Sequence, residues 1–235
     1  MSILIIRRHG QSRHNALVEE YLKTGNQSLF TDEVLATPDI EWDLTSVGIA
    51  QATLAGQWVN TYILDPTTQI FSSPSPRAIS TASIVYPGEK TVIVPELTEQ
   101  DWGILNRSYP WESKSARRIF DEEARFSPNA RPPDGNTFSD VYQAVKDFLV
   151  NVLVHHAKNQ SAVTSIDCHY SVLRAVRMHL EGIPLKNYAQ TFGEEWKSNN
   201  CQTVVYYLNY NCSSARKAWI VNPAFPSDLS YWKHF

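Results

Sequence analysis

Residues 3 to 15 of the chain read ILIIRRHGQSRHN. The run from Ile3 to Ile6 is entirely β-branched or leucine, which is typical of a strand buried on both faces. It stops at Arg8, His9 and Gly10, where a turn is expected, and the polar Ser12 then stands where a helix would begin. The stretch therefore predicts a buried strand with a histidine at its carboxyl end.

The rest of the chain alternates between two patterns. Helical spacing runs through residues 45–63, 77–85, 137–156 and 171–180, and the first of these helices carries Val47, Ala50, Leu54 and Trp58. Short strand-like runs occupy residues 69–73, 91–94, 162–166 and 203–208. This alternation predicts an α/β fold, a three-layer sandwich with a mainly parallel central sheet and helices on both faces.

Composition limits the class of protein. The chain has 235 residues, 43% of them hydrophobic, with no linker or repeat, so one domain spanning residues 1–235 is expected. A net charge of -3 without a basic run argues against a nucleic-acid partner, and no apolar run is long enough for a membrane. Three cysteines without metal-ligand spacing, and a start unlike a signal peptide, favour the cytoplasm.

Arg8 and His9 are suited to phosphoryl transfer. The transferred group carries charge on its equatorial oxygens, and an arginine can hold two of them at once. A neutral imidazole can attack phosphorus, and neighbouring arginines keep it neutral by lowering its pKa. Ligands of parallel sheets bind beyond the carboxyl ends of strands, so Arg8, His9, the turn at residues 72–77 and His169 are expected to meet in one pocket.

Six short motifs follow one another along the chain between residues 3 and about 183. They are Arg8-His9-Gly10-Gln11-Ser12-x-x-Asn15, Asp43-Leu44-Thr45-x-x-Gly48-x-x-Gln51-Ala52, Ser72-Ser73-Pro74-x-x-Arg77-Ala78-x-x-Thr81-Ala82, Leu97-Thr98-Glu99 ahead of Trp102-Gly103, Gly135-Asn136-Thr137-Phe138, and Cys168-His169-Tyr170-Ser171. In this order they resemble the signatures of the histidine phosphatase superfamily, in its phosphoglycerate-mutase-like branch.

The resemblance implies a phosphoglycerate-mutase-like fold. It also implies hydrolysis of a small phosphomonoester through a phosphohistidine, without a metal or an organic cofactor. The natural substrate and the oligomeric state stay open. Carried over residue by residue, it implies a nucleophile, His9; three groups around the phosphoryl oxygens, Arg8, Arg77 and His169; a proton donor, Glu99; and substrate contacts at Gln11 and Asn15. Tyr170, which departs from the family pattern, is a further expected substrate contact because its side chain could project into the pocket.

Two departures from the family pattern leave alternatives open. Tyr170 stands where glycine usually follows the second histidine, and it would be strained by roughly 1 kcal/mol or more if that position needs a positive φ. A catalytically silent protein that binds phosphorylated ligands is therefore one alternative. Asn136 replaces a common glutamate in its motif, a change without an interpretation from the sequence.

A phosphoglycerate mutase is the second alternative. Mutases of the family have Arg and then Tyr after the acidic residue, where this chain has Gln100 and Trp102. A second phosphate would need further cations, which Arg107, Arg117 and Arg118 could supply by folding back. Hydrolysis is favoured over phosphoryl exchange on these grounds. A nucleotide-binding Rossmann module is disfavoured because no G-x-G-x-x-G turn follows any strand.

Other features have simpler interpretations. His155 and His156 are expected to be structural because no third metal ligand stands nearby, and Cys168 is expected to be a buried, inert thiol. Residues 15–42 and 106–135 lie outside the predicted sheet, where they could cover its strand ends as lids. The aromatic residues of the tail, at 211–235, are expected to cover the core.

Overall fold

The apolar run at residues 3–6 lies within strand β1 (Ser2–Arg8), and Leu4, Ile5 and Ile6 are completely buried. The computed structural model describes residues 2–63, 68–106, 126–159, 162–193, 196–209, 215–221 and 233–234. The other strands are β2 (Gln69–Ser72), β3 (Thr91–Ile93), β4 (Val163–Cys168), β5 (Thr203–Leu208), β6 (Ala215–Val221) and β7 (Lys233–His234).

In this described part of the chain the strands form one sheet, in the order β3-β2-β4-β1-β5-β6-β7. Strands β3, β2, β4 and β1 are parallel, whereas β5, β6 and β7 join through antiparallel pairings. Because β6 then runs in the direction of β1, most of the strands share one direction. The mainly parallel sheet is confirmed, and β6 and β7 are additions that the sequence patterns did not predict. The carboxyl ends of β1, β2 and β4 meet at one edge.

Helices cover both faces of the sheet, as predicted. On one face lie α3 (Ser46–Tyr62) and α4 (Pro76–Val85), which pack on Ile5, Ile70 and Val205. On the other lie α5 (Phe138–Lys158) and α6 (Tyr170–Leu180), which pack on Leu4, Ile6 and Ile166. The alternation of β1 residues between the two clusters follows from the pleat of a strand.

Helix α3 is correct in position, but of the four apolar residues whose spacing predicted it, Trp58 is buried and Leu54 half-buried, whereas Val47 and Ala50 are exposed. Val47 is 50% exposed, while Gly48, Ala52, Ala55 and Val59 face the core. The reason is the close approach of α3 to α4: a Cβ on Gly56 would lie 3.1 Å from the Cα of Val85. Small residues are needed where α3 meets α4, so large apolar residues do not identify that part of the buried face.

Residues 15–42 form helices outside the sheet. They contain most of α1 (Arg13–Thr24), then α2 (Asp32–Ala36) and short 3₁₀ turns at Gln27–Leu29 and Asp39–Glu41. Further 3₁₀ turns lie at Pro95–Leu97, Gly103–Asn106 and Leu185–Phe192. Arg107, Arg117, Arg118, Cys212 and the side chains of the tail aromatics lie outside the described residues. No helix in the described ranges has the length and apolar character that a membrane span needs.

Candidate active site

Two histidines face each other at the ends of neighbouring strands. His9 follows β1 and His169 follows β4, and the parallel register pairs Arg8 with Cys168, one residue before each histidine. The backbone N–H of His9 donates to the carbonyl of Cys168 at 2.8 Å, which continues the pairing past the strand ends. The two rings lie 5.1 Å apart between centroids, at 63° to each other. Both side chains are buried.

One ring nitrogen of His9 is fixed by its own turn. Its Nδ1 lies 2.7 Å from the carbonyl oxygen of Gly10, and a carbonyl can only accept a hydrogen bond. In the neutral ring Nδ1 therefore carries the proton, and Nε2 keeps its lone pair. This is the tautomer that a nucleophilic imidazole requires.

Burial and charge both keep these rings neutral. Burial is the largest cause, and the positive charges of Arg77 and Arg8 add to it, so the pKa of His9 lies well below its ordinary value of 6.5. Burial and Arg77 likewise lower the pKa of His169 well below 6.5. At neutral pH both imidazoles are thus uncharged, and the nucleophilic form of His9 dominates.

A third strand contributes Ser73, which follows β2. Its Oγ lies 2.7 Å from Nε2 of His169, and its backbone N–H donates to the carbonyl of Asp167 on β4. Ser73 therefore fixes the orientation of the second histidine. The role of this residue was not recognised from the sequence, although the residue belongs to the Ser72-Ser73-Pro74 motif.

Arg8 extends from β1 into the same region. Its guanidinium donates to the carbonyl of Ser198, and it lies 5.9 Å from the ring centroid of Tyr170. Burial lowers the pKa of Arg8, and the charge of Glu99 partly opposes this effect. An arginine with a modestly lowered pKa is still a cation at neutral pH, so Arg8 brings positive charge beside His9.

Arg77 lies in the first turn of α4 and is paired with Asp39. Its NH2 lies 2.7 Å from Oδ2 of Asp39, and its NH1 donates to the backbone carbonyl of the same residue. Asp39 belongs to the 3₁₀ turn at Asp39–Glu41, so the segment outside the sheet reaches a predicted phosphate ligand. Sequence reasoning missed this carboxylate, because it stands in a stretch without a motif.

Glu99 is held at the amino end of α6. Its carboxylate accepts hydrogen bonds from the backbone N–H groups of Tyr170 and Ser171, both at 3.1 Å, and of Gln100 at 2.9 Å. Burial raises the pKa of Glu99 above its ordinary 4.5, against these hydrogen bonds and the charge of Arg77. The loop that carries Glu99 is anchored by Asn136, whose Oδ1 accepts from the backbone N–H of Asp101 at 2.8 Å.

Three buried polar atoms lie among these groups without a protein partner in the described residues. They are Nε of Arg8, Nε of Arg77 and Nδ1 of His169. Each comes from a different segment of the chain, and a buried donor without a hydrogen bond costs about 1–3 kcal/mol. The Nε–H groups of Arg8 and Arg77 are donors from which a phosphoryl group would accept hydrogen bonds, so they indicate a site for an anion.

Other motif residues form the frame of the turn at His9. The hydroxyl of Thr81 accepts from the N–H of Gly10, and the side chain of Gln51 accepts from the N–H of Gln11. A Cβ on Gly10 would lie 2.5 Å from the backbone oxygen of Gly48, so glycine is required there by the close approach of α3.

The three predicted substrate contacts have structural partners. Gln11 donates to Glu19 and accepts from the hydroxyl of Thr45. Asn15 forms a capping box with Ser12 at the start of α1. Tyr170 is the first residue of α6 and has no positive φ, so the predicted strain is absent. The observation that favoured a catalytically silent protein is thereby removed.

The remaining reactive residues have structural surroundings. His156 is buried with Nε2 at 2.8 Å from the hydroxyl of Thr164, and burial lowers its pKa to about 4. Burial raises the pKa of the Cys168 thiol well above its ordinary value. Within the ranges that the structure describes, no group of three or more His, Cys, Asp or Glu side chains is arranged to hold a metal ion.

Comparison with known proteins shows similarity to histidine phosphatases and phosphoglycerate mutases. The model of the histidine phosphatase superfamily, branch 1, matches residues 4–216. A 2,3-bisphosphoglycerate-dependent phosphoglycerate mutase of Cytophaga hutchinsonii is 30% identical over 190 residues, covering 78% of this chain and 79% of the mutase. The probable fructose-2,6-bisphosphatase TIGAR A of Danio rerio is 27% identical over 152 residues, 62% of this chain but only 51% of that protein.

The fold is also shared with solved structures. A mycobacterial glucosyl-3-phosphoglycerate phosphatase in complex with inorganic phosphate superposes with a TM-score of 0.71 at 16% identity, over 94% of this chain and 98% of that one. At that identity the likeness shows the fold alone.

Proposed function

Because the chain belongs to branch 1 of the histidine phosphatase superfamily, we propose that it hydrolyses a small phosphomonoester through a phosphohistidine on His9. The observation that carries the proposal is the hydrogen bond from Nδ1 of His9 to Gly10, which leaves Nε2 unprotonated. The family model matches residues 4–216, which supports one catalytic domain in this chain.

The first half-reaction forms the phosphoenzyme. Nε2 of His9 attacks phosphorus, the P–N bond forms, and the P–O bond to the alcohol breaks. Arg8, Arg77 and His169 stabilise the charge on the equatorial oxygens, and the buried Nε–H groups of Arg8 and Arg77, which lack a partner among the described residues, support this role. Glu99, whose raised pKa favours the protonated form, gives its proton to the leaving oxygen.

The second half-reaction returns the enzyme. Water attacks the phosphoryl group on His9, Glu99 takes a proton from that water, and the P–N bond breaks with the electron pair returning to Nε2. Inorganic phosphate leaves, and His9 is neutral again. The residues themselves supply every proton and donor that these steps need, so the proposal includes no metal and no organic cofactor.

The test is turnover of an aryl phosphate in EDTA, compared between wild type and His9→Ala. The proposal predicts that wild-type turnover is unchanged by EDTA and that the substitution abolishes it. Equal rates in both proteins would refute it. The circular dichroism spectra of the two proteins should be the same, which shows that the loss of activity does not result from a loss of structure.

Phosphoglycerate mutase activity is the second candidate, because mutases of known sequence align over most of the chain. Against this candidate, Gln100 and Trp102 stand where mutases of the family have Arg and Tyr. The side chain of Gln100 donates to the backbone carbonyl of Asn136 at 3.2 Å. Incubation with 3-phosphoglycerate separates the two: release of inorganic phosphate supports hydrolysis, and appearance of the 2-isomer supports the mutase.

A further inference from the structure

A cavity of about 200 Å³ lies beside Glu99. Its lining includes Gln100, which directly follows Glu99, and Tyr170 and Ser171, whose backbone N–H groups donate to the Glu99 carboxylate. In the proposed mechanism Glu99 protonates the leaving oxygen. The cavity therefore adjoins the residues that hold the proposed proton donor.

The wall of the cavity is mainly aromatic and contains one buried cation. Trp102, Phe138, Tyr170, Tyr188 and Phe192 contribute rings, and Arg174 contributes its guanidinium. Arg174 stands one turn after Tyr170 on α6, so both side chains project from the same side of that helix.

Arg174 is held in a defined position but is not fully satisfied. Its Nε donates to the hydroxyl of Thr191 at 2.7 Å, and its guanidinium carbon lies 4.0 Å from the ring centroid of Phe192 and 4.2 Å from that of Tyr188. The residue is only 5% exposed. Its NH2 is buried and has no hydrogen-bond partner within the described part of the chain.

The charge of Arg174 is also uncompensated in its surroundings. None of the described residues that line the cavity is acidic; the groups that meet the guanidinium are neutral, namely the rings of Phe192 and Tyr188 and the hydrogen-bonding side chains of Tyr188 and Tyr170. Burial lowers the pKa of Arg174, with Tyr188 and Tyr170 opposing this, yet an arginine stays protonated at neutral pH. A buried cation with an unpaired donor is costly unless an anion meets it.

We propose that Arg174 binds a second anionic group, a carboxylate or a phosphate, carried by the alcohol portion of the substrate, whose body packs between the aromatic rings of the cavity. The inference rests on the proposed function and specifies its substrate class: phosphomonoesters with a further negative charge. Guanidinium and carboxylate or phosphate form charge-assisted, often bidentate hydrogen bonds, which suits a specificity contact.

Matched aryl phosphates test the wild-type protein directly. We expect kcat/KM for 4-carboxyphenyl phosphate to exceed that for the neutral isostere 4-carbamoylphenyl phosphate by about tenfold, a ratio that corresponds to one charge-assisted contact. The bisphosphate of hydroquinone, compared with phenyl phosphate, tests the second anion. Preference for the carboxylate alone or for the second phosphate alone identifies which source the cavity accepts, and either supports the proposal.

Substitutions then locate the effect. Arg174→Lys keeps the positive charge, and we expect it to retain part of the preference. Arg174→Met removes the charge and should bring the ratio of kcat/KM values close to one. The control is Arg177→Lys, because Arg177 lies on the same helix, pairs with Glu181 and packs on Trp196 away from the cavity. It should leave the ratio unchanged.

Failure of the proposed role of Arg174 can be distinguished from failure of the proposed phosphatase activity. Hydrolysis of all these compounds with a wild-type ratio near one for both pairs would overturn the role of Arg174 and leave the phosphatase standing. A preference that survives Arg174→Met, or that Arg177→Lys also removes, would overturn it as well. Absence of any hydrolysis would instead contradict the proposed function.

Discussion

Arg7 and Asp167 form a completely buried ion pair between the two strands that end in the paired histidines. NH1 of Arg7 lies 2.8 Å from Oδ1 of Asp167, and neither side chain is exposed. The two residues are register partners on β1 and β4, two positions before His9 and His169. Burial by itself lowers the pKa of Arg7, but Asp167, with Tyr86 and Cys201, outweighs it and raises that pKa. Because the pair holds β1 and β4 in register, it also holds His9 and His169 opposite each other.

Breaking this pair from one side should destabilise the protein strongly. Asp167→Asn leaves the Arg7 charge buried without its counterion, and we expect a loss of about 3–5 kcal/mol in the free energy of unfolding. Urea unfolding measures it. Arg131→Gln is the control, since its pair with Asp140 is exposed and should be worth at most about 1 kcal/mol. Similar small losses for both variants would contradict the structural role of the buried pair.

The low pKa of His9 can be measured by NMR titration of its ring. We expect the imidazole to stay neutral well below pH 6.5. Arg77→Gln removes one cation and should move the pKa upward, toward 6.5, because Arg77 is the largest electrostatic cause after burial. A pKa of His9 that is unchanged or lower in this variant would contradict the assignment.

The same shift affects stability. The unfolded chain takes up protons on its histidines near pH 6.5, whereas His9 and His169 in the folded chain do not. The folded state therefore loses stability as the pH falls below 6.5. Substituting both histidines with Asn should flatten this part of the profile of unfolding free energy against pH, and an unaltered slope would speak against the buried neutral rings.

Glu99→Gln tests the proposed proton donor. A general acid contributes typically about 10²–10⁴-fold, and it matters most when the leaving oxygen is basic. We expect alkyl phosphates to be slowed by that order and 4-nitrophenyl phosphate far less. The alkaline limb of the pH profile, set by the raised pKa of Glu99, should also disappear. Glu96→Gln, at an exposed site three residues earlier, is the matched control. Equal slowing of all substrates would exclude this role.

Asp39→Asn tests whether the carboxylate paired with Arg77 competes with substrate phosphate. Without that charge, Arg77 is freer to meet an anion, and we expect inorganic phosphate to inhibit about two- to tenfold more strongly. Glu41→Gln, exposed on the same 3₁₀ turn, should have no effect. Weaker inhibition in Asp39→Asn would mean that Asp39 positions Arg77 instead of competing for it.

The sequence predicted the parts of the site that depend on local pattern. Apolar runs at residues 3–6 and 162–166 identified strands β1 and β4, and the positions of His9, Arg77 and His169 near strand ends indicated that they would converge. These predictions succeed because buried parallel strands and their carboxyl ends have recognisable patterns.

Long-range contacts were beyond the reach of such patterns. Asp39 reaches Arg77 from a stretch without a motif, and Ser73 orients His169 across strands. The pattern identified Trp58 on the buried face of α3 but missed most of that face, because small residues that allow close packing give only a weak hydrophobic signal. The strain expected at Tyr170 depended on a backbone angle that only the fold determines.

The central claim is that His9 becomes phosphorylated. Wild-type protein mixed with a phosphomonoester, quenched in alkali within one turnover and digested, should yield a phosphoryl group on the peptide that contains His9, and the label should be lost in acid, as expected for a P–N bond. A label on the His169 peptide, or hydrolysis under these conditions without any labelled histidine, would contradict the account.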